Sequence, residues 1–173
     1  MASMMRSSLE RTEVHRYPLW VMFLVPLLAI SLQTRLVLLF PLASSLDLAL
    51  LVTVYFASNR RNQLVGLLMG AAIGLAQDAL GSGPIGVFGI VMTLIGYLGS
   101  SLGGRIDVDN PLTRLLLVFG SYYLHFGLYY ILVRGLLDRP IGLPGWTSLI
   151  SALGNALLAV VLFHLLDRLR TRE

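Results

Sequence analysis

The residue best placed to do chemistry is Asp78, a carboxylate inside an apolar stretch that runs from Gly66 to Gly104. A carboxylate at membrane depth is costly to bury, so its presence points to an interaction with a partner or a ligand. A partner's arginine or backbone amides would suit it through charge-assisted hydrogen bonds. The alternative is that Asp78 is hydrated near the membrane interface, or caps the amides of the glycine turn that follows. Gln77 beside it adds one hydrogen-bonding side chain.

The other polar residues in apolar context ask for less. Asp47 opens a short apolar segment and reads as a helix N-cap that complements the helix dipole. His125 and His164 stand on apolar helices without a carboxylate or second histidine at ligand spacing, so neither is expected to bind a metal. Asn155 is expected to hydrogen-bond to a neighbouring helix. No Ser/His/Asp set and no pair of acids is present at catalytic spacing. The GSGPIG turn lacks the following lysine of a phosphate-binding loop. Neither catalysis, a metal nor a cofactor is expected.

Two small-residue helices must position Asp78. In the first, Gly66, Gly70, Gly74 and Asp78 follow at spacings of four, which keeps them on one helix face. In the second, Gly86, Gly89, Thr93, Gly96, Ser100 and Gly103 alternate spacings of three and four, a helical seam of small residues. Joined by Gly81, Ser82, Gly83 and Pro84, these faces predict a tight antiparallel hairpin, because small residues let membrane helices approach closely.

Composition sets the environment of that hairpin. Of 173 residues, 56% are hydrophobic and 13% charged, and mean hydropathy is +0.78. A soluble domain carries about 25% charged residues, so the solvent of this chain is largely lipid. There is no cysteine, which excludes a disulfide framework and a thiolate metal site. All 13 basic residues are arginine, and the net charge of +4 reflects membrane topology rather than nucleic-acid binding.

In chain order, residues 1–16 form a polar tail, with no cleavable signal peptide expected. Residues 17–168 form the membrane domain, and 169–173 a second tail. The first helix is expected from Tyr17 or Pro18 to about Gln33, with Tyr17 and Trp20 at the interface. Pro41 argues for a turn, and a short second helix follows from about Ser44 to Ser58. The hairpin helices cover roughly Gln63–Leu80 and Pro84–Leu102. A fifth helix runs from Leu112 to about Arg134 and carries an aromatic cluster from Phe119 to Tyr130. A sixth runs from Trp146 to Leu166. The fold expected is an all-α polytopic membrane protein of six transmembrane helices.

Arginine counting orients it. With both termini cytoplasmic, Arg6, Arg11, Arg16, Arg60, Arg61, Arg105, Arg114, Arg168, Arg170 and Arg172 lie inside. Only Arg35, Arg134 and Arg139 then lie outside, a strong positive-inside bias. Asp78 and the Gly81–Pro84 turn then face the extracytoplasmic side.

The stretch GLLMGAAIGLAQDALGSGPIGVFGIVMTLIGYLGS resembles the signature hairpin of the MreD family of rod-shape-determining bacterial membrane proteins. Asp78, Gly81, Pro84, Gly86 and the pair Gly96 and Tyr97 match its pattern. Leu32-Gln33 is similar to the family's end of helix one, and Leu46-Asp47-Leu48 to its entry into helix two, although a proline is missing there. The resemblance implies a non-catalytic component of the cell-elongation machinery in the bacterial inner membrane. It would work with an MreC-like single-span protein, MreB filaments, and the RodA and penicillin-binding-protein synthases of lateral peptidoglycan. It also implies a fold like the substrate-binding subunits of energy-coupling-factor vitamin transporters. The alternative function that follows is a small-molecule-binding subunit of such a transporter.

Overall fold

The computed structural model describes residues 18–40, 45–81, 83–140, 142 and 145–169. The expected tail 1–16, the anchor Tyr17, the expected helix start at Ser44, the turn residue Ser82, and Arg170 and Arg172 lie outside them. The described residues form six α-helices and no strand. These are α1 (Leu19–Leu39), α2 (Leu48–Arg60), α3 (Gln63–Leu80), α4 (Val87–Gly103), α5 (Pro111–Tyr130) and α6 (Trp146–Asp167). A π-helical segment, Ile131–Leu136, prolongs α5.

Local chemistry explains most of the boundaries. Helix α1 passes Gln33 and Arg35, where its end was expected, and stops at Leu39. Its last neighbour, Phe40, is extended (φ −134°, ψ 104°). Phe40 precedes Pro41 in the sequence, and the residue before a proline is pushed out of the helical region. Helix α2 starts four residues later than expected because Asp47 caps it, accepting from the Leu50 amide at 3.0 Å. Asn62 caps α3 through the amides of Leu64 and Val65. Asn110 caps α5, with Pro111 at the first helical position.

Contacts between helix ends show that the chain alternates direction. The start of α1 meets the end of α2, where Arg60 lies 2.7 Å from the Met22 sulfur. The start of α3 meets the end of α4, where Gln63 donates to Ser101 at 3.0 Å. The start of α5 meets the end of α6 through Arg114 and Asp167. One end of the bundle therefore gathers Arg60, Arg61, Arg105, Arg114 and Arg168 among the described residues. Arg35, Arg134 and Arg139 belong to the other end.

Helix α2 is the centre of the bundle. Every residue from Leu48 to Asn59 is buried, and the helix packs against each of the other five. A helix that is buried on all sides needs no polar face. The rings of Tyr55 and Phe163 stand 5.0 Å apart, and Tyr55 meets Phe56 edge-on at 5.4 Å. Around this pillar, Phe23, Leu27, Leu68, Leu116, Leu157 and Val161 point outward and are exposed. In a bilayer such residues face lipid.

Helix lengths separate the six into two groups. Stretches 20–39, 63–80, 111–136 and 146–167 are long and apolar enough to cross a membrane. Helix α4, with 17 residues, is apolar but shorter. Helix α2 has 13 residues, about 20 Å at 1.5 Å per residue, against a hydrocarbon core of about 30 Å. Of the six spans expected, four are thus long and apolar enough to cross a membrane. The short α2 does not need to match the bilayer, because protein rather than lipid surrounds it.

Candidate functional site

Helices α3 and α4 form the most extensive helix pair in the bundle, and their glycines are the reason. A Cβ on Gly66 would overlap the Gly96 carbonyl oxygen, one on Gly70 that of Met92, and one on Gly74 that of Phe88. A Cβ on Gly96 would strike the Gly66 carbonyl in return. Backbone meets backbone along this seam, which no larger residue permits. Gly89 presses against the Leu75 side chain, whereas Gly103 turns to α2 and meets Ser58. Thr93 and Ser100 donate their hydroxyls to their own helix, at Gly89 and Gly96, with distances of 2.6 and 2.9 Å. Self-bonded hydroxyls pack as small apolar groups.

Asp78 closes the seam at the turn. It is 4% exposed, which favours the cap over the hydrated position considered for it. Its Oδ2 accepts from the amides of Gly86 at 3.0 Å and Gly89 at 2.9 Å, and its Oδ1 from that of Phe88 at 3.2 Å. These amides belong to the start of α4, whose first N–H groups have no partner within the helix. A carboxylate there satisfies the donors and complements the helix dipole. Asp78, the last buried residue of α3, thereby caps the next helix across the turn. Gly86 makes this possible, since its φ of +94° is a conformation that side chains disfavour.

The remaining hairpin residues take distinct places. The Gly81 amide donates to the Gln77 carbonyl at 2.9 Å and ends α3. Pro84 is half-buried, while Gly81, Gly83 and Ile85 are exposed. Gln77 does not bond to Asp78: its side-chain oxygen is buried without a hydrogen-bond partner. Of the expected site residues, Asp78 and Gly86 are thus bonded to each other, Gly81 and Pro84 shape the loop, and Gln77 stands apart.

A second, half-buried cap lies at the same end of the bundle. The start of α2 has orphan amides like that of α4, and three elements satisfy them. Asp47 accepts from Leu50, Gln33 of α1 accepts from Ala49 at 3.3 Å, and Asn155 of α6 accepts from the Asp47 amide at 2.8 Å. Asn155 also donates to the Ser45 and Ser151 carbonyls. Gln33, Asp47 and Asn155 were each noticeable in the sequence, but not their meeting. His125 of α5 adds an imidazole whose Nε2 lies 3.7 Å from the Asp47 carboxylate, longer than a hydrogen bond. Its ring stacks in a group with Phe88 and Tyr129, linking the two capped helix starts. The carboxylate near His125 comes from another helix, which spacing along α5 does not reveal.

The arginine-rich end holds an ion pair that the sequence did not suggest. Arg114, which is buried, pairs with Asp167 at 2.7 Å and donates from Nε to the Val108 carbonyl at 2.7 Å. Tyr55 donates its hydroxyl to Asp167 at 2.8 Å. The set ties α2, α5 and α6 together. Both charges had the sequence character of loop charges at membrane boundaries, and only folding makes them partners. Among the described residues no group of three or more His, Cys, Asp or Glu side chains could hold a metal ion.

Within the hairpin, the Asp78 carboxylate is thus occupied by backbone amides of the same hairpin. Comparison with curated proteins and with solved structures returns no match, so the expected likeness to transporter subunits gains no support there. The sequence does match a protein family, described as rod shape-determining protein MreD, over residues 15–169. That range takes in all six helices and both capped helix starts. This apolar helical chain is an integral membrane protein and belongs to the MreD family of rod-shape-determining proteins.

Proposed function

We propose that the chain is a non-catalytic membrane component of the bacterial cell-elongation complex, acting by binding other proteins rather than by turning over a substrate. The observation that carries this reading is the family match over nearly the whole chain. The partner proposed is an MreC-like single-span protein of the inner membrane, with RodA, the penicillin-binding-protein synthases and MreB filaments as further members of the assembly. Both termini are proposed to be cytoplasmic, on the strength of the arginine bias between the two ends. The Asp78 turn then projects to the side where wall synthesis takes place.

The proposed docking element is the Gly81–Gly86 turn with the adjoining hairpin. Ile85, at 88% exposure, stands out from it, and Asp78 fixes its shape from beneath. In this reading Asp78 acts on the partner through the backbone it organises. No observation favours the transporter-subunit alternative, since the acid that would face a ligand accepts three amides instead.

The test is rescue of shape. In a rod-shaped bacterium depleted of its own family member, expression of this chain is expected to restore rods, and the Asp78→Asn variant to restore them poorly at equal membrane abundance. Failure of the wild-type chain to restore rods, with its partners co-expressed, would contradict the proposal.

A further inference from the structure

We infer that the groove between α4 and α5, at the arginine-rich end, is a binding site for an anionic phospholipid. The two helices pair far less closely than α3 with α4, and a groove of about 550 Å³ opens between them. Gly120 on α5 contributes to the gap, since nothing lies within 4 Å of where its Cβ would be. The walls are apolar, with Leu98 and Leu102 from α4 facing Leu116 and Leu124 from α5. Such walls suit an acyl chain.

Polar groups sit where a headgroup needs them. Arg105 lies at the rim, exposed, just beyond the end of α4. Among the described residues no carboxylate pairs with it, in contrast to Arg114, which has Asp109 and Asp167. Gln63 lines the groove from α3, held by its bond to Ser101. It keeps a second amide N–H for a phosphate oxygen. Arg105 and Gln63 therefore offer charge and hydrogen bonds to a phosphate diester. Basic pockets between membrane helices on the cytoplasmic side recognise anionic headgroups in this way, and that leaflet supplies them. The occupant is thus a lipid already in the membrane, with its phosphate at Arg105 and a chain running toward Ser121. This inference rests on the topology proposed above, with the arginine-rich end cytoplasmic, but not on the partner, since the Asp78 turn lies at the other end of the bundle.

The test uses the purified full chain in a neutral detergent, with native mass spectrometry reading bound lipid. Phosphatidylglycerol is expected to be retained in preference to phosphatidylcholine, and inorganic phosphate is not expected to compete with it. Arg105→Gln is expected to weaken phosphatidylglycerol binding about fivefold, whereas Arg168→Gln, at the same end but outside the groove, changes it less than about twofold. Ser121→Leu, which fills the groove without touching the charge, is expected to displace the lipid while the lipid-free melting temperature stays within the range of the other variants. Equal retention of both lipids would overturn the inference, as would equal loss in the two arginine variants or full competition by inorganic phosphate. So would a result in which Ser121→Leu blocks capture of a single-span partner yet leaves lipid binding intact, since the groove would then seat a helix.

Discussion

At the scale of single residues, the carboxylates Asp47 and Asp78 cap helix starts from within the protein. Asp78 gathers three amides from the start of α4 with two oxygens. Asparagine is nearly the same size but has one acceptor oxygen and a donating amide. In Asp78→Asn the NH₂ group must face at least one N–H, leaving a buried donor without an acceptor. Each such group costs about 1–3 kcal/mol. Asp78→Asn is therefore expected to insert in the membrane but to melt at lower temperature than wild type, as read by thermal unfolding of the purified protein. An unchanged melting temperature would show that these hydrogen bonds contribute little. Asp47 plays the corresponding role for α2 with help from Gln33 and Asn155. The acid–glycine pairing around Asp78 was visible in the sequence only as the alternative to a partner or ligand site, because both residues lie within one hairpin. The Asp47–Asn155 and Arg114–Asp167 contacts were not, because their partners come from distant parts of the chain.

At the scale of elements, the α3–α4 hairpin was the most legible part of the fold. Its spacing of small residues admits one close arrangement, and the bounds expected for α3 match those observed, between Asn62 and Gly81. The end of α1 and the start of α2 were less legible. Polar Gln33 looked like the end of the first helix, whereas the helix runs on to Leu39 and Gln33 receives an amide of α2. The central position of α2 was not legible either, since a fully buried helix and a lipid-facing one are both apolar all round. For the hairpin, Gly70→Leu is expected to be severe, because the added side chain meets the Met92 backbone rather than a movable side chain. Overpacking costs typically about 1–3 kcal/mol, and backbone contact places this case at the upper end or beyond. Leu68→Met, on the exposed face of the same helix, is expected to leave stability within about 0.5 kcal/mol of wild type. Folded yield after detergent extraction checks both: equal yields would mean that the seam is not an interface.

At the scale of the whole molecule, a short buried pillar is wrapped by five helices whose outer surfaces are apolar. The two helices below spanning length, α2 and α4, are the two that begin with carboxylate caps, half-buried Asp47 and buried Asp78. Asp47 and Asp78 accept helix-start amides of α2 and α4 from within the protein, where lipid tails would offer no acceptor. The two ends of the bundle then do different work. The arginine-rich end carries the Arg114–Asp167–Tyr55 lock and the α4–α5 groove, and the opposite end carries the capped starts and the Ile85 turn. Both ends belong to a chain of the MreD family of rod shape-determining proteins.

The most direct measurement of the central claim is recovery of a tagged MreC-like partner with this chain from native membranes. It compares wild type with Ile85→Asp and Asp78→Asn. Ile85 is 88% exposed, so Ile85→Asp alters the proposed docking surface with little change to the interior. The account predicts that wild type recovers the partner, and that Ile85→Asp loses most of it at an unchanged melting temperature. Asp78→Asn is predicted to lose it together with stability. Undiminished recovery with both variants would contradict the claim that the Asp78 turn is where the partner docks.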